Sequence, residues 1–404
     1  SIMLKNLSLK VIVFGFIFTF FSAFGQSFFI GIFNPSIRED LSITHGQFGS
    51  IYASATLLSS LLLIWIGKKI DDMDAFKFSL FVIVLLSFAC YFFSTIKIIS
   101  LLFLGIFLLR LSGQGLMTHT ATTTISRYFE QTRGRALSIG WLGLSFAEFA
   151  LPVLMIFLLT SISWRNIWIS ISILALVILP LISFLLIKKL KLESRESGLK
   201  IDVENTKIKQ WTRSEVIKDY RFYIIALNML AMPSIATGVF VYQSFILSSK
   251  NWGPYVIAQS FMSYSILTVI TLFIIGILID KFTSRKLLIY MNIPILLATI
   301  VLFTFKSPIS SYVFLGLIGI TNALANVLGS SIWAEIYGVK FIGGIKALSA
   351  SMMVFATAFG TAIFGILIDT GYSIYSIAVF SAIYIAISLV ILFFFRKTLN
   401  PTYI

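Results

Sequence analysis

Long apolar runs alternate with short polar connections along the whole chain. Each run is close to the ~20 residues that a helix needs to cross a bilayer. The pattern predicts an all-α membrane protein with twelve transmembrane helices, numbered here in chain order. The predicted spans are residues 11–33, 46–66, 76–95, 98–126, 136–159, 166–187, 221–247, 254–279, 287–305, 309–336, 345–368 and 374–395.

One polar connection is much longer than the others and divides the helices into two groups of six. We predict an N-terminal six-helix half over residues 1–187, a basic cytoplasmic linker over 188–220 and a C-terminal six-helix half over 221–404. Residues 211–219 of the linker combine apolar and charged positions, which predicts a short amphipathic helix on the membrane surface.

Composition excludes a water-soluble globule, because 58% of the 404 residues are hydrophobic and only 12% are charged. The net charge of +15 is compatible with nucleic-acid binding. Most of the 31 Lys and Arg residues, however, fall in connections on one side of the predicted bundle, which is the positive-inside pattern. We therefore expect a monomeric protein of the cell's inner (plasma) membrane with cytoplasmic termini, in contact with lipid and not with nucleic acid.

A five-residue sequence is repeated letter for letter in the second half. Gly276-Ile277-Leu278-Ile279-Asp280 closes helix 8 and recurs as Gly365-Ile366-Leu367-Ile368-Asp369 at the end of helix 11. Because helices 8 and 11 run in opposite directions, the two copies belong on opposite faces, as an inverted repeat of three helices requires. A related sequence, residues 67–71, closes helix 2 and lies 209 residues before the helix 8 copy. This spacing indicates that the two halves are parallel repeats.

The sequences after helices 2 and 8 carry a family resemblance. Gly67-x-x-x-Asp71 and Gly276-x-x-x-Asp280, the latter followed by Arg285, resemble the signature loops of the major facilitator superfamily. A glycine lets two helices approach, and an aspartate at a helix end can meet a cation or a helix N-terminus in one conformation and leave it in another. The resemblance implies a two-halved carrier in which these five residues take part in gating.

Other motifs bear on the branch of the superfamily. Arg110 with Gln114 resembles the helix 4 motif whose arginine is often linked to proton coupling. Residues 211–222 and 333–338 look like the monocarboxylate and oxalate/formate branch and related bacterial carriers. Helix 8 carries no arginine and helix 11 no lysine at mid-depth, where oxalate-type carriers place cations. The resemblance therefore disfavours a dianion exchanger.

Two opposite charges fall near the middle of the bilayer. Arg110 and Glu148 each lie 19 residues from Phe129, the centre of the connection between helices 4 and 5. Both are about 18 Å deep, counted at ~1.5 Å per residue. An isolated charge there costs at least ~2.5 kcal/mol, so it normally faces a partner or a wet cavity. We predict that Arg110 and Glu148 are partners, either in substrate and proton handling or as a structural ion pair.

Polar residues on helices 1, 4, 7 and 10, which usually line the site in this superfamily, are further candidates for substrate binding or coupling. These are Gln26, Gln114, His119, Tyr242, Gln243, Asn322 and Asn326. For the amides, the alternative is hydrogen bonding between helices, worth about 0.6 kcal/mol in membranes. His119 can serve a proton path or be satisfied by neighbouring threonines. Glu335 is expected to act in gating by pairing with Arg285 or Lys346.

The sequence thus predicts a secondary transporter that works by alternating access. We favour a small carboxylate-bearing anion moved with protons, the carboxylate meeting Arg110 while Glu148 is protonated. A proton-driven exporter of amphiphilic or cationic compounds, with Glu148 as the acidic contact, is the alternative. A non-transporting sensor or scaffold on a carrier fold is a third. We expect no cofactor, no metal site and no enzymatic activity, because no catalytic motif or metal-ligand spacing occurs.

Overall fold

The computed structural model describes residues 2–129, 132–191, 207–338 and 340–404. Within these ranges, twelve helices are long and apolar enough to cross a membrane, which confirms the predicted all-α fold. They are α1 (Ser8–Gly25), α2 (His45–Lys68), α3 (Ala75–Ser94), α4 (Ile99–Tyr128), α5 (Arg133–Leu158), α6 (Trp164–Ile187), α7 (Tyr220–Val241), α8 (Val256–Phe282), α9 (Ser284–Thr304), α10 (Ile309–Tyr337), α11 (Ile342–Asp369) and α12 (Ile374–Thr398).

Consecutive spans run in opposite directions, so α1 begins and α12 ends on the same side of the bundle. We call this side the terminal face and the opposite side the distal face. Side-chain caps fix several helix starts at the distal face. Thr44 accepts from Gln47 N in a capping box at the start of α2, and Ser163 and Ser373 cap α6 and α12.

Three spans depart from the regular helices that their apolar runs predict. The span predicted over 11–33 ends its first helix at Gly25, Gln26 is extended, and a short helix follows over Ser27–Ile30. The span predicted over 221–247 is interrupted at Tyr242. Helix α4 is π-helical over Arg110–Met117, a geometry that is frequent at functional sites.

A close approach between α1 and α4 explains the first of these irregularities. A Cβ on Gly25 would overlap the carbonyl oxygen of Leu109 and would lie 2.6 Å from Gly113 Cα. Only glycine on both helices allows the backbones to meet at this distance. Hydropathy alone does not register this contact, because every residue involved is compatible with an apolar run.

The two halves pack together through two long helix pairs, α2 against α11 and α5 against α8. At the terminal face, the described end of the linker contains a short helix over Arg213–Ile217 with a Thr212–Glu215 capping box. This helix is shorter than the predicted amphipathic segment. Lys209 N donates to the carbonyl oxygen of Thr402 at 2.8 Å, so the linker is tied to the C-terminal tail. Residues 192–206 of the predicted linker lie outside the described residues.

Candidate functional site

A cavity of about 220 Å³ lies between the two halves, at the middle of the bundle. Helices α2, α4, α5, α7, α8, α10 and α11 contribute to its wall, together with the break after α1. Six of the residues predicted from the sequence line it, namely Gln26, Gln114, His119, Glu148, Asn322 and Asn326. The cavity extends toward the terminal face, where Thr122, Ser330 and Lys346 line it.

The predicted pair of Arg110 and Glu148 is wrong. Arg110 is fully buried, and its Nη1 donates to the carbonyl oxygen of Gly25 at 2.8 Å while Nη2 donates to Thr357 Oγ1 at 2.6 Å. The guanidinium also lies 5.2 Å from the ring centroid of Tyr52. A carbonyl at the end of a helix has no partner within the helix, so the break after Gly25 supplies an acceptor for the arginine.

The pairing failed because residue counting gives depth and not direction around the helix axis. Both residues are buried, as their depth requires, but Arg110 opens the π-helical segment of α4 and is directed to α1 and α11. The bond to Thr357 joins the N-terminal half to the C-terminal half. Arg110 is therefore a contact between the halves in this conformation.

Glu148 lies on the cavity wall and is only 3% exposed. Tyr264, on α8 of the other half, lines the same wall and lies next to it. One carboxyl oxygen, Oε1, is buried and has no hydrogen-bond partner among the described residues. Leaving an ionised carboxylate buried with an unused acceptor is costly, so this oxygen suits either a proton or a hydrogen-bond donor of a solute.

Two more polar atoms of the cavity wall are buried without a partner in the described chain, Gln114 Oε1 and Trp141 Nε1. Trp141 and Glu148 are seven residues apart, which places them on one face of α5 about 10 Å apart along its axis. The wall thus offers two acceptors and one donor. Of the described residues that line the cavity, Glu148 is the one carboxylate and Lys346 the one ammonium.

His119 lines the cavity but is also hydrogen bonded to protein on both sides of its ring. Its Nε2 lies 2.8 Å from the carbonyl oxygen of Gly67, and its Nδ1 lies 3.5 Å from Thr123 Oγ1. Because a carbonyl only accepts, Nε2 carries the proton and Nδ1 accepts in the neutral ring. His119 therefore ties α4 to the glycine of the first signature loop.

The two stacked asparagines of α10 contact each other on the cavity wall, with Asn326 Nδ2 donating to Asn322 Oδ1 at 3.4 Å. Gln26, on the opposite half, donates from Nε2 to Ser22 Oγ at 3.5 Å. The asparagines bond to each other within α10, Gln26 bonds back to the end of α1, and all three line the cavity.

Tyr242 and Gln243 do not line the cavity, contrary to the prediction from the sequence. They seal the distal face: Tyr242 Oη lies 3.3 Å from the carbonyl oxygen of His45 and 3.2 Å from that of Thr361. Gln243 Nε2 donates to the carbonyl oxygen of Phe240 at 2.8 Å. The interruption of the helix at Tyr242 places both side chains between the halves, where a regular α7 would have directed them elsewhere.

The distal seal also includes contacts of the interrupted first span with backbone carbonyl groups of the seventh. Asn34 Nδ2 donates to the carbonyl oxygen of Val241 at 2.6 Å. A Cβ on Gly31 would overlap the carbonyl oxygen of Phe240. The cavity is therefore closed toward the distal face by tightly packed main chain.

At the terminal face, the contacts between the halves are made by side chains. Asp280 pairs with Arg135, the Nε–Oδ2 distance being 3.7 Å, and both groups are exposed. Such a pair contributes at most about 1 kcal/mol. Lys346 Nζ donates to Ser126 Oγ at 3.0 Å. Gly276 packs near Ser138, whose Oγ would lie 3.1 Å from a Cβ at position 276.

The predicted pairing of Glu335 with the side chain of Arg285 or Lys346 is wrong. Glu335 accepts from the backbone N–H groups of Ser284 at 2.8 Å and Arg285 at 3.3 Å. It caps the start of α9, where helical N–H groups have no partner within the helix. The side chain of Asp71, the other predicted gating aspartate, lies outside the described residues.

Known proteins with the same architecture match this chain. The family model described as Major Facilitator Superfamily matches residues 15–318 and 227–403. Two solved structures of the nucleoside transporter NupG superpose with TM-scores of 0.65. The D323A mutant is 15% identical and covers 98% of this chain and 100% of its own, and the other is 13% identical and covers 98% and 99%. These identities show a shared fold alone. In a search of curated protein sequences, nothing matches this chain.

Proposed function

Since the chain belongs to the Major Facilitator Superfamily, we propose that it is a secondary active transporter of a small organic solute, driven by protons. The two halves bind the solute in the central cavity and expose it to one face at a time. Arg110, Lys346 and the distal seal are contacts between the halves that such a movement must make and break.

The observation that carries the proposal is the position of Glu148. It is the one carboxylate of the described cavity wall, its Oε1 has no partner there, and its neighbour Tyr264 belongs to the other half. Protonation removes the negative charge next to the tyrosine hydroxyl and changes what the cavity can bind. A proton at this carboxyl is thereby linked both to the solute and to the contact between the halves.

The charge of the solute is the finer part of the proposal. We favour a solute that presents a hydrogen-bond donor or a cationic group to Glu148, because the free oxygens of Gln114 and Glu148 are acceptors. Phe28, Trp141 and Trp333 on the same wall suit an apolar or cationic body. This solute corresponds to the alternative drawn from the sequence, the amphiphilic or cationic compound.

A carboxylate-bearing anion is the second candidate. The specific observation in its favour is the position of two cations. Lys346 lines the cavity, and Arg110 lies behind the cavity wall, hydrogen bonded to the hydroxyl of the lining residue Thr357. An anion would have to displace that hydroxyl to reach the guanidinium. The resemblance of residues 211–222 and 333–338 to the monocarboxylate branch supports this class. The substrate of NupG is not transferred to this chain at 15% identity.

The orientation in the membrane belongs to the same proposal. The basic connections lie at the terminal face, and the positive-inside rule then places that face, with both termini, in the cytoplasm. Labelling of an engineered cysteine at Lys397 from one side of sealed vesicles tests this orientation, after Cys90, the single native cysteine, has been replaced by alanine.

The solute class is tested by thermal-shift screening of the purified protein against neutral, cationic and carboxylate compounds at two pH values. We expect a hit among neutral or cationic donors, whose binding weakens at the lower pH because protons compete for Glu148. Glu148→Gln should remove the pH dependence, whereas Glu39→Gln, an exposed control, should retain it. Stabilisation by carboxylates alone, with equal pH dependence in both variants, would reverse the order of the two candidates.

A further inference from the structure

The repeated pentapeptide makes the same kind of contact at both faces of the molecule. At the terminal face, residues 276–280 lie against the start of α5 in the other half. Asp280 Oδ1 lies 3.4 Å from where a Cβ on Gly134 would be, and the carbonyl oxygen of Gly134 lies 3.8 Å from the corresponding position on Gly276. Arg135 Nε lies 3.7 Å from Asp280 Oδ2. The aspartate therefore sits at the first turn of a helix of the opposite half.

At the distal face, residues 365–369 lie against the start of α2, again in the other half. Gly46 N donates to Asp369 Oδ1 at 3.1 Å, and Thr44 Oγ1 lies 3.5 Å from Oδ2. A Cβ on Gly46 would overlap the Asp369 carboxylate, and a Cβ on Gly365 would lie 3.4 Å from Gly46 Cα. Glycine at 46 and 365 lets the carboxylate reach the backbone of α2.

The two receiving helices begin with the same short pattern. Thr44-His45-Gly46 starts α2, and Thr132-Arg133-Gly134 starts α5, with the threonine immediately before the first helical residue in each case. Backbone N–H groups in a first helical turn have no partner within the helix, and the helix dipole favours a negative charge there. Each aspartate of the pentapeptide thus meets an equivalent electropositive helix start across the interface.

The two contacts differ in how completely they are made. Asp369 is exposed, but its carboxylate lies directly against Gly46 and accepts from a backbone N–H and a hydroxyl. Asp280 pairs only with the exposed Arg135 at 3.7 Å, and no bond from a backbone N–H of α5 to it is found in the described residues. The distal contact is engaged and the terminal contact is loose, in agreement with a cavity sealed at the distal face.

We propose that Asp369 is a latch at the distal face, which alternates during the transport cycle with the terminal-face gating that the signature-loop resemblance implies for Asp280. Engagement of Asp369 on the start of α2 holds the distal face closed. Engagement of Asp280 on the start of α5 holds the terminal face closed. Loss of either charge shifts the equilibrium toward opening of its own face, so the two neutral variants act in opposite directions.

The test is a pair of distance measurements by electron paramagnetic resonance in the full-length protein, in a Cys90→Ala background. Each pair of spin labels has one label in each half. Labels at Ser161 and Ser307 report on the distal face, and labels at Lys189 and Lys397 report on the terminal face. All four positions are exposed. Asp369→Asn is expected to raise the population with the longer distal distance about tenfold, the factor for one charge-assisted hydrogen bond. Asp280→Asn should raise the population with the longer terminal distance and leave the distal face closed.

Gly46→Ala and Gly134→Ala form a matched pair that leaves both carboxylates in place. The new methyl group would overlap Asp369 in the first variant and only touch Asp280, at 3.4 Å, in the second. Gly46→Ala should therefore reproduce Asp369→Asn, and Gly134→Ala should resemble the parent. Variants that remain monodisperse but shift both label pairs in the same direction, or neither pair, would overturn the proposal. The measurement needs no transported solute, so its outcome is independent of the proposed substrate.

Discussion

The bond between Arg110 and Thr357 is expected to hold the two halves together near mid-depth, and Thr357→Val removes it. Valine has nearly the shape of threonine but offers no acceptor, so Nη2 of the buried guanidinium loses its 2.6 Å bond. Arg110 Nε already has no partner among the described residues. A hydrogen bond to a charged group is worth about 1.5–3 kcal/mol in proteins, against an average of about 0.6 kcal/mol between membrane helices.

The expected consequence is a change in the ratio of distal-open to distal-closed molecules. A bond worth about 0.6 kcal/mol corresponds to about a threefold change in this ratio, and one worth about 1.5–3 kcal/mol corresponds to a change of more than ~10-fold. We expect the larger effect, because the guanidinium is fully buried and Thr357 is the one acceptor found for Nη2 among the described residues. The readout is the distance distribution between spin labels at Ser161 and Ser307.

Thr361→Val is the matched control for this prediction. Thr361 lies one turn along α11, and its hydroxyl donates to the carbonyl oxygen of Thr357 at 2.7 Å within the same helix. The chemical change is identical, but no side-chain bond between the halves is lost. If Thr357→Val shifted the distance distribution no further than Thr361→Val, the assignment of Arg110 as a contact between the halves would be refuted.

Three further outcomes are expected. Gly25→Ala should lower the thermal unfolding midpoint by several degrees, since its Cβ would meet backbone and such overpacking costs about 1–3 kcal/mol. Gly253→Ala is the control, because a Cβ there has nothing within 4 Å, and it should leave the midpoint unchanged. Equal midpoints for the two variants would argue against the close packing of α1 and α4. Tyr242→Phe should weaken the distal seal by about 1 kcal/mol, seen as faster labelling of a cysteine at Gln26, and unaltered labelling would contradict that role. His119→Phe should loosen the end of α2, seen as faster amide exchange at Gly67, and unchanged exchange would contradict the contact.

The sequence was sufficient for the fold because the bilayer imposes a simple rule. A segment of about 20 apolar residues satisfies its backbone hydrogen bonds only as a helix in lipid, so the spans could be read from hydropathy. The repeated pentapeptide also located two helix ends on opposite faces. Its role at the distal face was not predicted, since the partner at Gly46 lies more than 300 residues away in the chain.

The sequence predicted which polar residues lie at mid-depth, but it did not predict which helix each side chain faces. Glu148, Gln114 and the asparagines of α10 line the cavity as their positions suggested. Arg110 does not pair with Glu148, because the π-helical segment and the break after Gly25 change the contacts of α4 in ways that a regular helical period does not contain. The one signal in the sequence for this close contact was a glycine on each helix, Gly25 on α1 and Gly113 on α4.

Tyr52, Tyr264 and Thr357 were missed for a different reason. Each is one of several hydroxyl-bearing residues on its helix, and nothing in the sequence sets it apart from the others. Their importance follows from the charged group that each one faces, Arg110 for Tyr52 and Thr357, and Glu148 for Tyr264. Those partners come from other helices, so no local pattern in the sequence reveals them.

The most direct test of proton coupling at Glu148 compares two assays on the same proteoliposomes, once screening has provided a transported solute. Exchange of labelled for unlabelled solute requires the halves to move but no net proton transfer, whereas accumulation driven by a pH gradient requires both. With saturating solute on both sides, Glu148→Gln is expected to retain exchange at a rate close to the parent, and it should lose accumulation. A Glu148→Gln protein that still accumulates solute in response to the pH gradient would contradict the central claim.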